Sequence, residues 1–186
     1  MNGKPYVVLV GLDFSEFADR ALQQALELAS QRDDSQLHVL CVIPGLSADV
    51  SSEGYSLSSD VGVQDGVSES LRARVKAAAS AFSARSGARG VRAARVTAHV
   101  RTDSPALGIV RLATELAADL IVVGSHGRQS TPRESLGSVA EDTLRYAGCP
   151  VLVVPAPTRE ASSSTRSCFK SMAGLAHAHL VMGATR

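Results

Sequence analysis

The sequence has no tryptophan, and aromatic residues make up only 4% of its 186 positions. A surface that stacks successive bases of a single strand needs a row of rings, so composition argues against that mode of nucleic-acid binding. An excess of one charge is also missing. Its 19 Lys and Arg stand against 18 Asp and Glu, a formal net charge of +1. With no extended field of either sign, neither nucleic acid nor an anionic membrane is expected as a partner. Long hydrophobic runs are missing too, since nothing approaches the roughly 20 apolar residues that span a bilayer. Lys4 is followed by the apolar run Tyr6 to Leu12, too short for a secretory core and ended by Asp13 without a small-residue cleavage site. It reads as a first strand, and the expected location is the cytoplasm.

Cysteine is scarce. Cys41, Cys149 and Cys168 are odd in number and far apart, which fits neither a disulfide framework nor paired metal-ligand spacing. Cys41 lies in an apolar run and Cys149 against one, so both read as small core residues, while Cys168 falls in a polar tail. What remains is ordinary for one globular domain: 45% hydrophobic and 20% charged residues.

The apolar residues are arranged in two rhythms. Tyr6 to Leu12, Leu37 to Ile43, Leu120 to Val123 and Val151 to Val154 are short, mostly continuous runs rich in β-branched residues. Such runs predict parallel strands buried on both faces. Val96, Ala98 and Val100 alternate with Thr97 and His99, which predicts an edge strand. Helical spacing fills the gaps. Ser15 reads as an N-cap, followed by Phe17, Ala21, Leu22, Ala25, Leu28 and Ala29 on one stripe. Leu71, Val75, Ala78, Ala79 and Phe82 form a second stripe. Ser104 as cap and Pro105 at the first position open a third helix through Ile109, Leu112, Ala113 and Leu116. A fourth starts near Ser138 and passes Val139, Ala140, Leu144 and Ala147, with Gly148 as a left-handed C-cap.

The order β-α-β-α-β-α-β-α-β predicts an α/β fold: an open, doubly wound, five-stranded parallel sheet with helices on both faces. Pro44 to Gly66, rich in Ser, Gly and Asp, reads as a long mobile loop. The domain is expected to span 1–155, with 156–186 as a flexible or weakly structured tail. That tail carries Arg159, Arg166, Lys170 and Arg186 against Glu160.

Open parallel sheets bind ligands at the carboxyl ends of their strands, where strand order reverses. The first strand ends in Gly11-Leu12-Asp13-Phe14-Ser15 and the fourth in Val123-Gly124-Ser125-His126-Gly127. Gly124, Gly127, Gly137 and Ser138 then follow the pattern Gly-x2-Gly-x9-Gly-Ser. Bare glycines let a backbone turn tightly and bring its N–H groups against an anion. Gly137 returns the chain to a helix N-terminus, where unpaired amides and the dipole favour phosphate. Ser138 either caps that helix or donates to a phosphate oxygen, and Arg128 and Arg133 lie inside the loop to screen charge. With Gly at about 7% of residues, this spacing arises by chance in roughly one such chain in a hundred.

This loop, placed after the fourth strand, resembles the ATP-binding loop of the universal stress protein family. Val8 to Glu16 is similar to that family's first strand and turn, Asp119 to Gly127 to its fourth, and Cys149 to Val154 to its last. The likeness covers about residues 4–155. It implies a Rossmann-like fold of the adenine nucleotide alpha hydrolase type that binds ATP, with or without Mg2+. It further implies that Gly11, Leu12 and Asp13 line the adenosine side and that Val42 meets the adenine. Val123, Gly124, Ser125, His126, Gly127, Arg128, Gln129 and Ser130 would wrap the phosphates, closed from the other side by Gly137, Ser138, Val139 and Ala140. Cys41 stands where that family often has His, and Ala140 where it often has Thr or Ser. A homodimer through Val151 to Val154 is implied as well, acting as a stress-response or signalling module on a protein partner the sequence does not identify.

Catalysis is not expected from the residues. No carboxylate near His126 in sequence orients it as a base, and Ser138 has no neighbouring base to activate it. The chain contains neither a Walker-type Gly-Lys-Ser/Thr nor a Ser-Gly-Gly-x-Asp-Ser loop. Slow ATP hydrolysis, and a nucleotide-free interaction protein on the same fold, stay open as alternatives. His38 and His99 fall on strands and read as structural. His177 and His179, without a third ligand, do not suggest a metal site.

Overall fold

Every apolar run that predicts a strand forms one. β1 (Tyr6–Gly11), β2 (Ser35–Pro44), β3 (Val96–Asp103), β4 (Leu120–Gly124) and β5 (Val151–Val154) alternate with helices α1 (Glu16–Ser30), α2 (Ser58–Ser86), α3 (Pro105–Glu115) and α4 (Ser138–Tyr146). The computed structural model describes residues 4–44, 58–86, 96–127 and 136–155, with the side chains of α2 from residue 64 onward. These residues all belong to one compact unit, Met1–Ala156.

The sheet is parallel throughout, in the order β3-β2-β1-β4-β5. The chain moves outward from β1 to β2 to β3, then returns to the other side of β1. There Val8, Leu9 and Val10 pair with Leu120, Ile121 and Val122. The carboxyl ends of β1 and β4 therefore open side by side at the point where strand order reverses.

Strand periodicity divides the core in two. Val8, Val10, Leu37, Val39, Cys41 and Val122 pack against α1 and α2. Leu9, Leu40, Ile121 and Val123 turn to the other face, against Ile109, Leu112, Ala113 and Ala140. Cys41 is buried as predicted. Cys149 packs partly buried against the second cluster, and burial, with Asp119 nearby, pushes its thiol up and keeps it protonated. Cys168 and the rest of the tail lie outside the described residues, as does the part of the predicted loop at 45–57.

Several local expectations are corrected. The buried stripe of α1 is Ala18, Ala21, Leu22, Ala25, Leu26 and Ala29, so Phe17 and Leu28 are displaced from it by one step of rotation. Apolar residues flank the stripe on both sides, and spacing alone does not choose between them. The stretch predicted as loop up to Gly66 is helical from Ser58. Glycines at 62 and 66 lower helix propensity, but Gln64 donates to Thr102 Oγ1 of β3 at 2.9 Å and ties this end of the helix to the sheet. Ser104 occupies the N-cap of α3 without a side-chain cap bond; its amide instead donates to Asp103 Oδ1 at 2.8 Å. Helix α4 ends at Ala147 in extended conformation (φ −66°, ψ 137°), so the chain straightens before Gly148 and no left-handed cap forms. Finally, β5 is an outer strand in which only Val154 is buried. A continuous apolar run does not distinguish a strand covered on both faces from one awaiting cover.

Candidate functional site

The β1 end is shaped by a tight sequence of caps. The amide of Leu12 donates to Leu40 O at 2.8 Å, extending the β1–β2 pairing by one residue before the chain leaves the sheet. Asp13 Oδ1 then accepts from the Ser15 amide at 2.9 Å, and Ser15 Oγ accepts from the Ala18 amide at 3.2 Å, closing the first turn of α1. Between them Phe14 has φ 65°, a left-handed conformation that a bulky residue holds only when its neighbours enforce it. Asp13 is thus both a turn acceptor and a wall of the cavity described below.

The β4 end is shaped by close approaches. A Cβ on Gly124 would lie 3.0 Å from the carbonyl carbon of Phe17, so only a bare Cα lets α1 start this close to β4. A Cβ on Gly127 would lie 2.9 Å from Asp13 Oδ2, which sets the loop directly against that carboxylate. The two ends of the glycine loop are tied together: Ser125 donates its amide to Val154 O, and Gly137 donates its own to Ser125 O, each at 2.8 Å. Ser125 Oγ and His126 Nδ1 are 2.9 Å apart, and the His126 ring packs 5.7 Å from that of Phe17. Phe17, which the periodicity assigns to the core, is part of this rim instead.

Gly137 is the N-cap of α4 (φ −75°, ψ 151°), and no side chain caps the helix. Ser138 is therefore the first helical residue rather than the cap, because the chain already bends at the glycine. Helices start with unpaired amides that a side-chain oxygen usually satisfies. Here the N-cap glycine offers no such oxygen, and the first turn of α4, at the positive end of the helix dipole, borders the cavity described next.

These elements enclose a cavity of about 290 Å³, close to the lower end of the range typical for small-molecule sites, about 300 to 1,000 Å³. It is lined by Gly11, Leu12, Asp13, Val42, Val123, Gly124, Ser125, His126, Gly127, Gly137, Ser138, Val139 and Ala140, all predicted from the sequence. The remaining predicted residues, Arg128, Gln129 and Ser130, lie outside the described residues, as does Arg133. Five lining residues escape sequence reasoning: Ala18, Leu40, Pro44, Pro105 and Ile109. The signal for the α3 pair was present in the predicted helix start at Ser104-Pro105. What was missing was that β2 and β4 flank β1, which brings α3 over the same strand end.

The cavity has two unlike ends. On the β2 and α3 side it is apolar, with Leu40, Val42, Pro44, Pro105 and Ile109. On the β4 and α4 side it is polar, with Asp13, Ser125, His126, the Gly127 backbone, Gly137 and Ser138. Such a site can hold a flat apolar group at one end and an anion at the other. Among the described residues, no group of three His, Cys, Asp or Glu could hold a metal ion, and no helix is long and apolar enough to cross a membrane.

Known proteins resemble this chain in sequence and fold. The sequence pattern of the universal stress protein family matches residues 7–155. Universal stress protein G of Shigella flexneri is 32% identical over 152 residues, covering 81% of this chain and 98% of its own. Among solved structures, the universal stress protein UspA from Lactobacillus plantarum superposes with a TM-score of 0.55 at 26% identity, covering 82% of this chain and 99% of that one. The universal stress protein from Archaeoglobus fulgidus in complex with dAMP gives a TM-score of 0.52 at 22% identity, covering 82% and 99%. The chain belongs to the universal stress protein family.

Proposed function

We propose that this protein binds an adenine nucleotide in the cavity at the β1 and β4 strand ends, and that the nucleotide is ATP, with or without Mg2+. The observation that carries the proposal is the α4 N-terminus, left uncapped by Gly137, opening into the same cavity as the Asp13 carboxylate. The two features sort the parts of a nucleotide. Phosphate oxygens are attracted to the first-turn amides of α4 and repelled by Asp13; ribose hydroxyls can donate to Asp13. The base then falls among Val42, Leu40 and Ile109, where an apolar face is buried. Gly127, whose Cβ would strike Asp13 Oδ2, holds the end of β4 against that carboxylate. The likeness to an adenine-nucleotide complex in the same family agrees with this reading.

The protein then acts as a nucleotide-dependent stress-response module in the cytoplasm, as a dimer joined through β5, with residues 156–186 as an appended tail outside the nucleotide domain. The half-buried Val151, Leu152 and Val153 on an outer strand support the pairing, because an uncovered apolar edge invites another strand.

Gly137→Asp tests the site sharply. Asp is a strong N-cap, so the variant is expected to fold with equal or greater thermal stability while its carboxylate occupies the anion position. Purified protein is denatured and the released nucleotide is identified by chromatography and mass spectrometry. Wild type is expected to release ATP at close to one per chain, and the variant none. Equal retention by both proteins sinks the assignment of the phosphate end.

A further inference from the structure

Away from the cavity, β2 and β3 bring two histidines together. His38 Nδ1 and His99 Nε2 are 2.9 Å apart, with ring centroids at 5.2 Å and planes 24° from parallel. His38 is almost fully buried. By strand alternation both rings lie on the α3 side of the sheet, since Leu37, Val39, Ala98 and Val100 pack on the other. The flanking positions in register are uncharged, Leu9 on β1 and Thr97 on β3. Two charged groups act on His99: Arg101, two residues along β3, and Glu115 in the last turn of α3. They form a two-pronged ion pair with each other at 2.7 and 2.5 Å. Farther along, Arg111 of α3 and Asp103 of β3 pair at 2.8 Å.

Counting protons shows what this contact tolerates. Two neutral imidazoles carry two N–H groups. One fills the gap between the rings, and the other sits on the outer nitrogen of the accepting ring. The donor ring's outer nitrogen is bare, so it takes the first added proton and the hydrogen bond survives in charge-assisted form. A second proton has only the gap to enter. That would set two N–H groups face to face across 2.9 Å, and the contact must open.

We propose that the His38–His99 pair is an acid-sensitive latch that holds edge strand β3, and through Arg101–Glu115 helix α3, to the body of the sheet. The latch stays closed with either no added proton or one, and the second opens it. Burial, and for His99 the Arg101 charge, holds both imidazoles below their ordinary range; Glu115 opposes this. The sign of the stability effect follows. A lowered imidazole pKa in the folded state means that the unfolded chain takes up protons first. Stability is therefore complete above the ordinary value of about 6.5 and is lost as pH falls through it. The consequence reaches the cavity, because α3 also carries Pro105 and Ile109.

The test is an NMR titration of the imidazole rings in the intact chain between roughly pH 8 and pH 4. The expected result is two steps more than about one pH unit apart, both below the ordinary range, with the backbone signals of Arg101 and Glu115 moving in the second. Independent single steps near the ordinary value overturn the latch. Two surface variants keep the test decisive even where replacing a buried His prevents folding. Arg101→Gln is expected to raise the His99 midpoint and Glu115→Gln to lower it. If neither variant moves it, the link to α3 is wrong.

Discussion

The two faces of the sheet are packed unequally. Under α1 and α2 the core is closed by six buried residues of α1, together with Leu71, Val75 and Phe82 of α2. Under α3 and α4 the layer is thinner, and α4 buries only Ala140 and Thr143. The large apolar side chains that stay exposed among the described residues, Leu107, Val139, Leu144 and Tyr146, are all on α3 or α4. The cavity opens on this side, walled by Leu40, Val42, Ile109, Val123 and Ala140. One face is closed by its core, and the other carries the cavity and the exposed apolar side chains. Substitutions on the two faces should therefore separate stability from binding.

The largest effect is expected on the closed face. Leu26 is completely buried in α1, and Leu26→Ala leaves a cavity that a tightly packed layer cannot refill. The expected cost is about 3 kcal/mol, read from urea unfolding, with nucleotide affinity unchanged at temperatures where the variant is folded. A loss of affinity without a loss of stability would break the division between the faces.

Gly124→Val comes next, at the junction. The new Cβ meets backbone, the Phe17 carbonyl carbon at 3.0 Å, rather than a side chain that can rotate away. The expected destabilisation is about 1 to 3 kcal/mol, together with loss of bound nucleotide. Gly124 therefore serves the fold as well as the loop, and a variant there tests the site less cleanly than Gly137→Asp. A melting temperature equal to that of wild type would show that the α1 start yields more easily than this geometry implies.

How much of this was legible in the sequence depends on which physical rule was being read. Strands and strand ends were legible because short β-branched runs between Gly, Ser and Asp have few other uses. Gly124 and Gly127 were legible because a close approach at a strand end, to the Phe17 backbone and to Asp13, leaves little room for a side chain. The rotation of α1 was not. Phe17 and Ala18 are both apolar, and it is the packing of α1 on the sheet that turns Ala18 to the core and leaves the Phe17 backbone against Gly124. The α3 wall was not legible either. Ile109 was read as core on helical spacing, which it is, but its place over Gly11 follows from strand order, a long-range property. The uncovered side of β5 was hidden for the same reason.

On the open face a paired substitution reads the cavity wall directly. A Cβ on Gly11 would lie 2.9 Å from Ile109 Cδ1, while its next contacts, at 3.5 and 3.6 Å, are ordinary. Gly11→Ala alone is expected to cost about 1 kcal/mol and to narrow the apolar end of the cavity. Ile109→Val removes only the clashing methyl group, at about 0.5 to 1.5 kcal/mol. Combined, the two should cost less than their sum by at least about 0.5 kcal/mol, measured as a double-mutant cycle in urea. Strict additivity would mean that Ile109 already turns aside and does not form this wall.

The smallest effect is expected at the outer surface of the same face. Leu144 and Tyr146 are 46% and 57% exposed on α4, so Leu144→Ser and Tyr146→Ser remove little that the isolated chain buries. Each is expected to change stability by less than about 0.5 kcal/mol in a dilute sample. Helix α4 packs beside β5, the strand proposed to pair with a second copy, so concentration carries the information here. If a second copy covers part of this surface, wild-type melting rises with protein concentration and the variants lose that dependence, because association stabilises only by mass action. If melting is independent of concentration in all three, β5 and α4 are not covered by another copy.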